Sequence, residues 1–251
     1  MVKILKSQQG TTRFGTKKQI SILFFISIFC LIAFLLAIAN GSYQISFTEL
    51  FAGSGQNIQQ IVITEIRLPR VLLSCLVGAS LGMSGAVLRG LFRNPLADPG
   101  LIGVSAGAAL GASIAIVITP AFIAESSLGA FVLPISGVLG ASFVIALLFA
   151  LTKGFGYQGI TYLLLVGIAV NAIVGVAIGV LTYISTDSEL RTLTFWTMGS
   201  FGGINWSLLI PASIVITLSI VLLIPTSRQL DLVQLGEIEA YRLGVDVNKL
   251  K

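Results

Sequence analysis

The chain has 251 residues, of which 55% are hydrophobic and only 10% charged, with a mean hydropathy of +0.99. Soluble domains carry roughly a quarter charged residues, so this composition excludes a soluble enzyme, a disordered tail and a nucleic-acid module. The net charge of +5 is what a membrane protein collects, because Lys and Arg concentrate in its cytoplasmic loops.

Residues 1–19 are polar and basic (Lys3, Lys6, Arg13, Lys17, Lys18) and read as a cytoplasmic N-terminus. Ile20 to Ala39 is an uncharged run longer than the roughly 7–15 residues of a signal-peptide core, which predicts a retained first span. Asn40 to Glu65 reads as a mixed loop. Pro69, suited to a first helical turn, then starts a second span over residues 69–88. The segment RGLFRNPLADP, residues 89–99, breaks the apolar pattern.

Beyond it the charges become sparse. The gaps between Asp98 and Glu125, Glu125 and Lys153, Lys153 and Asp187, and Arg191 and Arg228 each exceed the roughly 20 residues that a spanning helix requires. They predict spans over residues 101–118, 128–151, 160–183 and 207–224. A short or re-entrant piece is expected ahead of the last one, where Gly202-Gly203 and Pro211 interrupt the run. Residues 229–251 are polar and amphipathic. The predicted fold is therefore an all-α polytopic membrane helix bundle of six spans. With the N-terminus inside, the cytoplasmic segments hold twelve of the fifteen Lys and Arg residues, and Arg67, Arg70 and Arg191 fall outside. That asymmetry sets the expected topology.

Small residues recur at helix-packing spacing: Gly78 and Gly82, then Gly103, Gly107 and Gly111, then Gly167, Asn171, Gly175 and Gly179. Such rows let helices approach closely in lipid. Cys30 and Cys75 lie in apolar runs and read as small buried or lipid-facing residues rather than a disulfide pair. The chain has no histidine, so a His-based metal site or base is excluded. It also lacks a G-x-x-x-x-G-K-[ST] loop, so no nucleotide is bound in that way. Span centres carry no acidic residue, unlike most ion-coupled carriers.

Two segments are distinctive. In the first, Arg93, Asn94, Pro95, Asp98 and Pro99 form an inner turn in which Asp98 can cap the third span and Pro99 take its first helical position. In the second, residues 231–251 suggest a helix, a glycine break and another short helix, read either as a solvated interfacial helix or as a docking element.

Arg67-Leu68-Pro69-Arg70, VGASLGMSGA over residues 77–86, and RNPLADP over residues 93–99 with Gly103 and Gly107 resemble the FecCD-type permeases. These are the membrane subunits of ATP-binding-cassette importers for iron-siderophores, haem and cobalamin. Leu235, Gly236 and Glu237, through Ala240 and Arg242 to Leu243 and Gly244, resemble that family's cytoplasmic coupling helices. The resemblance implies a transmembrane permease domain over residues 20–225 and a coupling segment over 226–251. It further implies a second, identical or paralogous permease subunit, cytoplasmic ATPase subunits that hydrolyse the ATP, and an extracytoplasmic substrate-binding protein. No cofactor is expected on the chain itself. Family members continue with further spans past the position of Lys251, which makes a C-terminally truncated product the expectation. A secondary carrier or a non-transporting membrane protein are the alternatives.

Overall fold

The computed structural model describes residues 17–41, 58–95, 97–119, 129–152 and 159–250. Residues 1–16, 42–57, 96, 120–128, 153–158 and 251 lie outside the described residues, and with them most of the basic N-terminus and parts of the segments expected as a loop over residues 40–65 and a turn over residues 153–159. The regular elements among the described residues are all helical. The chain divides into two compact units, Met1–Leu72 and Leu73–Lys251.

In the first unit, α1 (Lys17–Ala39) is apolar on every side, as a helix surrounded by lipid should be. The chain is helical again from Ile58, and α2 (Ile58–Phe92) runs without a break into the second unit. This corrects the loop expected as far as Glu65 and the helix start expected at Pro69. Val62–Arg67 forms a π turn in which the Leu68 N–H reaches back to the Ile63 carbonyl. Such a turn shifts the hydrogen-bond ladder just where Pro69 has no N–H to contribute, so the proline sits inside the helix instead of starting it. Arg67, only 7% exposed, donates from Nη1 to the carbonyls of Ile38 at 2.8 Å and Ala39 at 3.0 Å. It thereby meets two of the carbonyls that the end of α1 leaves open.

The second unit is organised around three helices: α3 (Val104–Ile118), α4 (Gly129–Thr152) and α5 (Gly159–Ile184). Val144 of α4 packs with Val170 and Val174 of α5, and Ala106 and Leu110 of α3 close this core. Where α2 gives way to α3, Phe92, Ala97, Ile102, Leu148 and Leu163 form a second cluster. Among the described residues five helices are long and apolar enough to cross a membrane, α3 being the shorter exception at fifteen residues. Its length is about 22 Å at 1.5 Å per residue, short of the ~30 Å apolar slab. The 3-10 turn Pro99–Ile102 lies directly before it.

The short piece expected among residues 192–206 starts earlier, as α6 (Asp187–Met198). A capping box explains the shift: Thr186 Oγ1 accepts from the Glu189 N–H, and Glu189 Oε2 accepts from the Thr186 N–H at 2.8 Å. The charges at Asp187 and Glu189 thus belong to a helix N-terminus, where acidic groups are favoured, and not to a loop. Gly199 and Gly203, both at positive φ, turn the chain into α7 (Trp206–Leu223), whose N-cap Asn205 accepts from the Leu208 N–H at 3.1 Å. A 3-10 turn leads on to α8 (Ser227–Gln234), α9 (Glu237–Arg242) and α10 (Val247–Leu250).

Candidate functional site

The inner turn is built from two backbone devices. The α2 helix ends at Phe92, and Arg93 takes a left-handed φ of 50°. The Arg93 N–H bonds to the Gly90 carbonyl and the Asn94 N–H to the Arg89 carbonyl, the paired closure of a Schellman motif. Glycine is the usual residue there, and a side chain at that φ is strained. The Ala97 N–H then bonds to the Asn94 carbonyl at 3.1 Å across Pro95. Asp98, in extended backbone, accepts from the Gly100 N–H at 2.7 Å with Pro99 at the first position. The Asp98 cap therefore closes the 3-10 turn, and α3 itself begins only past that turn, capped by Gly103 with φ 84°. The direct cap on the third span is corrected to that extent. Asn171 Nδ2 of α5 donates to the Gly100 carbonyl at 3.0 Å.

Residues 227–250 form a small structured body. Val233, Ala240, Val245 and Val247 make its core, with Leu232 and Leu250 against it. Gly236, at φ 120°, turns the chain into α9, and Gly244, at φ 87°, turns it out. The Gly244 N–H bonds to the Tyr241 carbonyl and the Val245 N–H to the Ala240 carbonyl. This is again a Schellman closure, here with Val245 packed on Ala240 as the motif favours.

Gly236 and Gly244 form the two turns, and the other five residues expected to dock stand in different surroundings. Leu235 and Leu243 are exposed, at 66% and 57%. Ala240 is fully buried in the segment's own core, so its expected role as a docking anchor is corrected. Glu237 is turned inward: its Oε1 lies 3.7 Å from Arg93 Nη2, with the carboxylate side chain 11% exposed. Arg242 pairs with Glu239 at 3.0 Å in the open. Two further exposed residues of α9, Ile238 and Tyr241, escaped the sequence reading, although they lie between Leu235 and Leu243 in the same short stretch.

The glycine rows divide as well. On α3, a side chain at Gly107 would meet the Gly140 carbonyl oxygen at 2.6 Å, and one at Gly111 would run into the Ser136 carbonyl oxygen. At Gly103 a Cβ would meet Val144 at 2.9 Å. Gly78 and Gly82 on α2, and Gly175 and Gly179 on α5, have nothing within 4 Å of the point where a Cβ would stand. The packing expected at Gly78 and Gly82 is therefore absent among the described residues.

An apolar bundle, a capped inner turn and a polar segment tied to that turn by an ion pair are the features by which the chain can be compared with known proteins. Residues 29–251 match the sequence pattern of the FecCD transport family. The chain belongs to the FecCD transport family. Within it, the hemin transport system permease protein of Yersinia pestis is 42% identical over 211 residues, covering 84% of this chain and 62% of that protein. The molybdate import system permease protein of Haemophilus influenzae is 34% identical over 239 residues, covering 92% of this chain and 68% of that protein. A solved structure, described as an inward-facing conformation of a metal-chelate type ABC transporter, superposes with a TM-score of 0.76 at 34% identity. It covers 92% of this chain and 70% of that one. The FecCD chain described here is an integral membrane protein, and it spans about three fifths of the hemin relative's length.

Proposed function

We propose that the chain is the transmembrane permease subunit of an ATP-binding-cassette importer for an iron-siderophore or related metal chelate in the cytoplasmic membrane, with its N-terminus inside. Two permease subunits would enclose the path, ATPase subunits would dock beneath, and an extracytoplasmic binding protein would deliver the substrate. The names of the relatives, which speak of hemin, cobalamin and molybdate, support a metal-containing cargo.

The observation that carries the reading is the segment over residues 227–250. Its own apolar core and two glycine turns make it a compact body. It nevertheless leaves Leu235, Ile238, Tyr241 and Leu243 exposed, the apolar centre that a docked partner requires. Glu237, held by Arg93, joins this body to the inner turn. Force applied to the exposed face is thereby delivered to the end of α2 and the start of α3.

The test is co-expression with ATPase and binding-protein subunits and measurement of chelate uptake in proteoliposomes. Vanadate-sensitive uptake is expected. Uptake driven by an ion gradient, or none at all, would point to the carrier or the non-transporting alternative. Orientation is checked separately with Cys30 and Cys75 replaced. A cysteine placed within residues 153–159 should resist impermeant thiol reagents in intact cells, and one within residues 54–60 should label.

A further inference from the structure

Asn171 is a polar residue near the middle of the 26-residue span α5. An amide in that setting is costly unless its groups are bonded. One half of it is: Nδ2 donates to the Gly100 carbonyl, which also accepts from the Gly103 N–H at 3.2 Å. The other half is not. Oδ1 is buried and finds no hydrogen-bond partner among the described residues. Val170 and Val174, packed on Val144, fix the face of α5 from which the amide projects. A side chain kept for stability alone would do better as an apolar residue or as a fully bonded amide.

The turn that Asn171 grips is the one reached from the polar segment. Glu237 meets Arg93, and the Asn94 carbonyl holds the Ala97 N–H. Asp98 then holds the Gly100 N–H, and Asn171 holds the Gly100 carbonyl. Gly100 is thus gripped on both of its backbone groups, from the cytoplasmic turn on one side and from a membrane span on the other.

We propose that Asn171 is a positioning residue for transport. Its amide ties the inner turn to α5, so that motion entering at Glu237 moves α3 and α5 together. This rests on the permease reading above. The half-bonded amide makes the tie a releasable joint, closed in this arrangement and opened when the turn shifts.

Two measurements test it, one of them independent of transport. In the full chain in lipid nanodiscs, Asn171→Leu should speed hydrogen exchange of the amides over residues 99–107 roughly threefold to tenfold, the range that loss of one intramembrane hydrogen bond allows. Exchange in the outer half of α4 should stay unchanged. Asn171→Gln, which keeps the donor one methylene further out, should fall between and serves if the leucine variant does not fold. Wild-type exchange in both variants would overturn the proposal.

In the complex reconstituted with ATPase and binding protein, Asn171→Leu should lower the uptake per ATP hydrolysed. Basal hydrolysis and subunit retention should stay at wild-type levels. A parallel fall of uptake and hydrolysis, or an unchanged ratio, would reduce Asn171 to a structural contact and overturn its positioning role. A wild-type complex that transports nothing would refute the permease reading and the coupling role together, whereas the exchange result would still show whether Asn171 holds the turn.

Discussion

The glycines of α3 and those of α2 share one spacing and live in opposite surroundings. Gly107 and Gly111 stand against the backbone of α4, whose own Ser136 and Gly140 are small residues at the same interval. Gly78 and Gly82 face open space. A four-residue small-residue row therefore states what a helix permits, a close approach, and not whether a neighbour has taken the offer. The same contrast recurs within α9, where Ala240 is enclosed and the adjacent Tyr241 is 76% exposed.

The largest effect that would sharpen this contrast is expected at Gly111→Val. The obstacle there is the Ser136 carbonyl, which cannot swing aside as a side chain could, so the cost should reach about 3 kcal/mol or more. Loss of the folded fraction, read by thermal denaturation in detergent, checks it. Wild-type stability would break the comparison. In α9, Ala240→Leu should overfill the small core at about 1–3 kcal/mol and loosen the whole segment, seen as proteolysis of residues 227–250. Tyr241→Glu, on the exposed side of the same helix, should leave protease resistance intact while losing the proposed ATPase partner on purification.

Smaller effects follow at the inner turn. Asp98→Ala should cost about 0.5–2 kcal/mol by removing the cap, with Asp98→Asn or Asp98→Ser restoring most of it in the same melt. Glu237→Arg should weaken the half-exposed pair with Arg93 by about 0.5–1 kcal/mol. The double exchange with Arg93→Glu should recover that loss, and added salt should mask both changes. At the far end of the scale, Gly78→Ala and Gly82→Ala should leave the chain as stable as before, or firmer by about 0.5–1 kcal/mol, because alanine favours an unobstructed helix.

The spans were legible because charge-free runs of the required length can hardly be anything else. Their beginnings were less so. Pro69 carries a helix-start signal, and only the π turn before it, which no residue pattern advertised, allows the helix to run through. At α6 the signal was present in the sequence, Thr186 followed three residues later by Glu189, the pair that closes the capping box. The glycines at 236 and 244 were legible as bends because both hold φ values that side chains resist. The pairing of Glu237 with Arg93 and of Asn171 with Gly100 was not. Each joins residues far apart in the chain, and nothing local to either partner names the other. Burial was the other silent quantity: Leu235, Ala240 and Leu243 look equally apolar in sequence, yet only Ala240 lies inside.

Arg67 has a consequence for how the molecule is made. The last carbonyls of α1 are closed by a guanidinium that lies 28 residues further along, on the next membrane-crossing helix. Until that arginine has been synthesised, those two carbonyls at the end of the first helix lack the guanidinium that meets them. The contact joins residues that all precede the glycine-packed helices in the chain, so every group it needs is made before α3 begins.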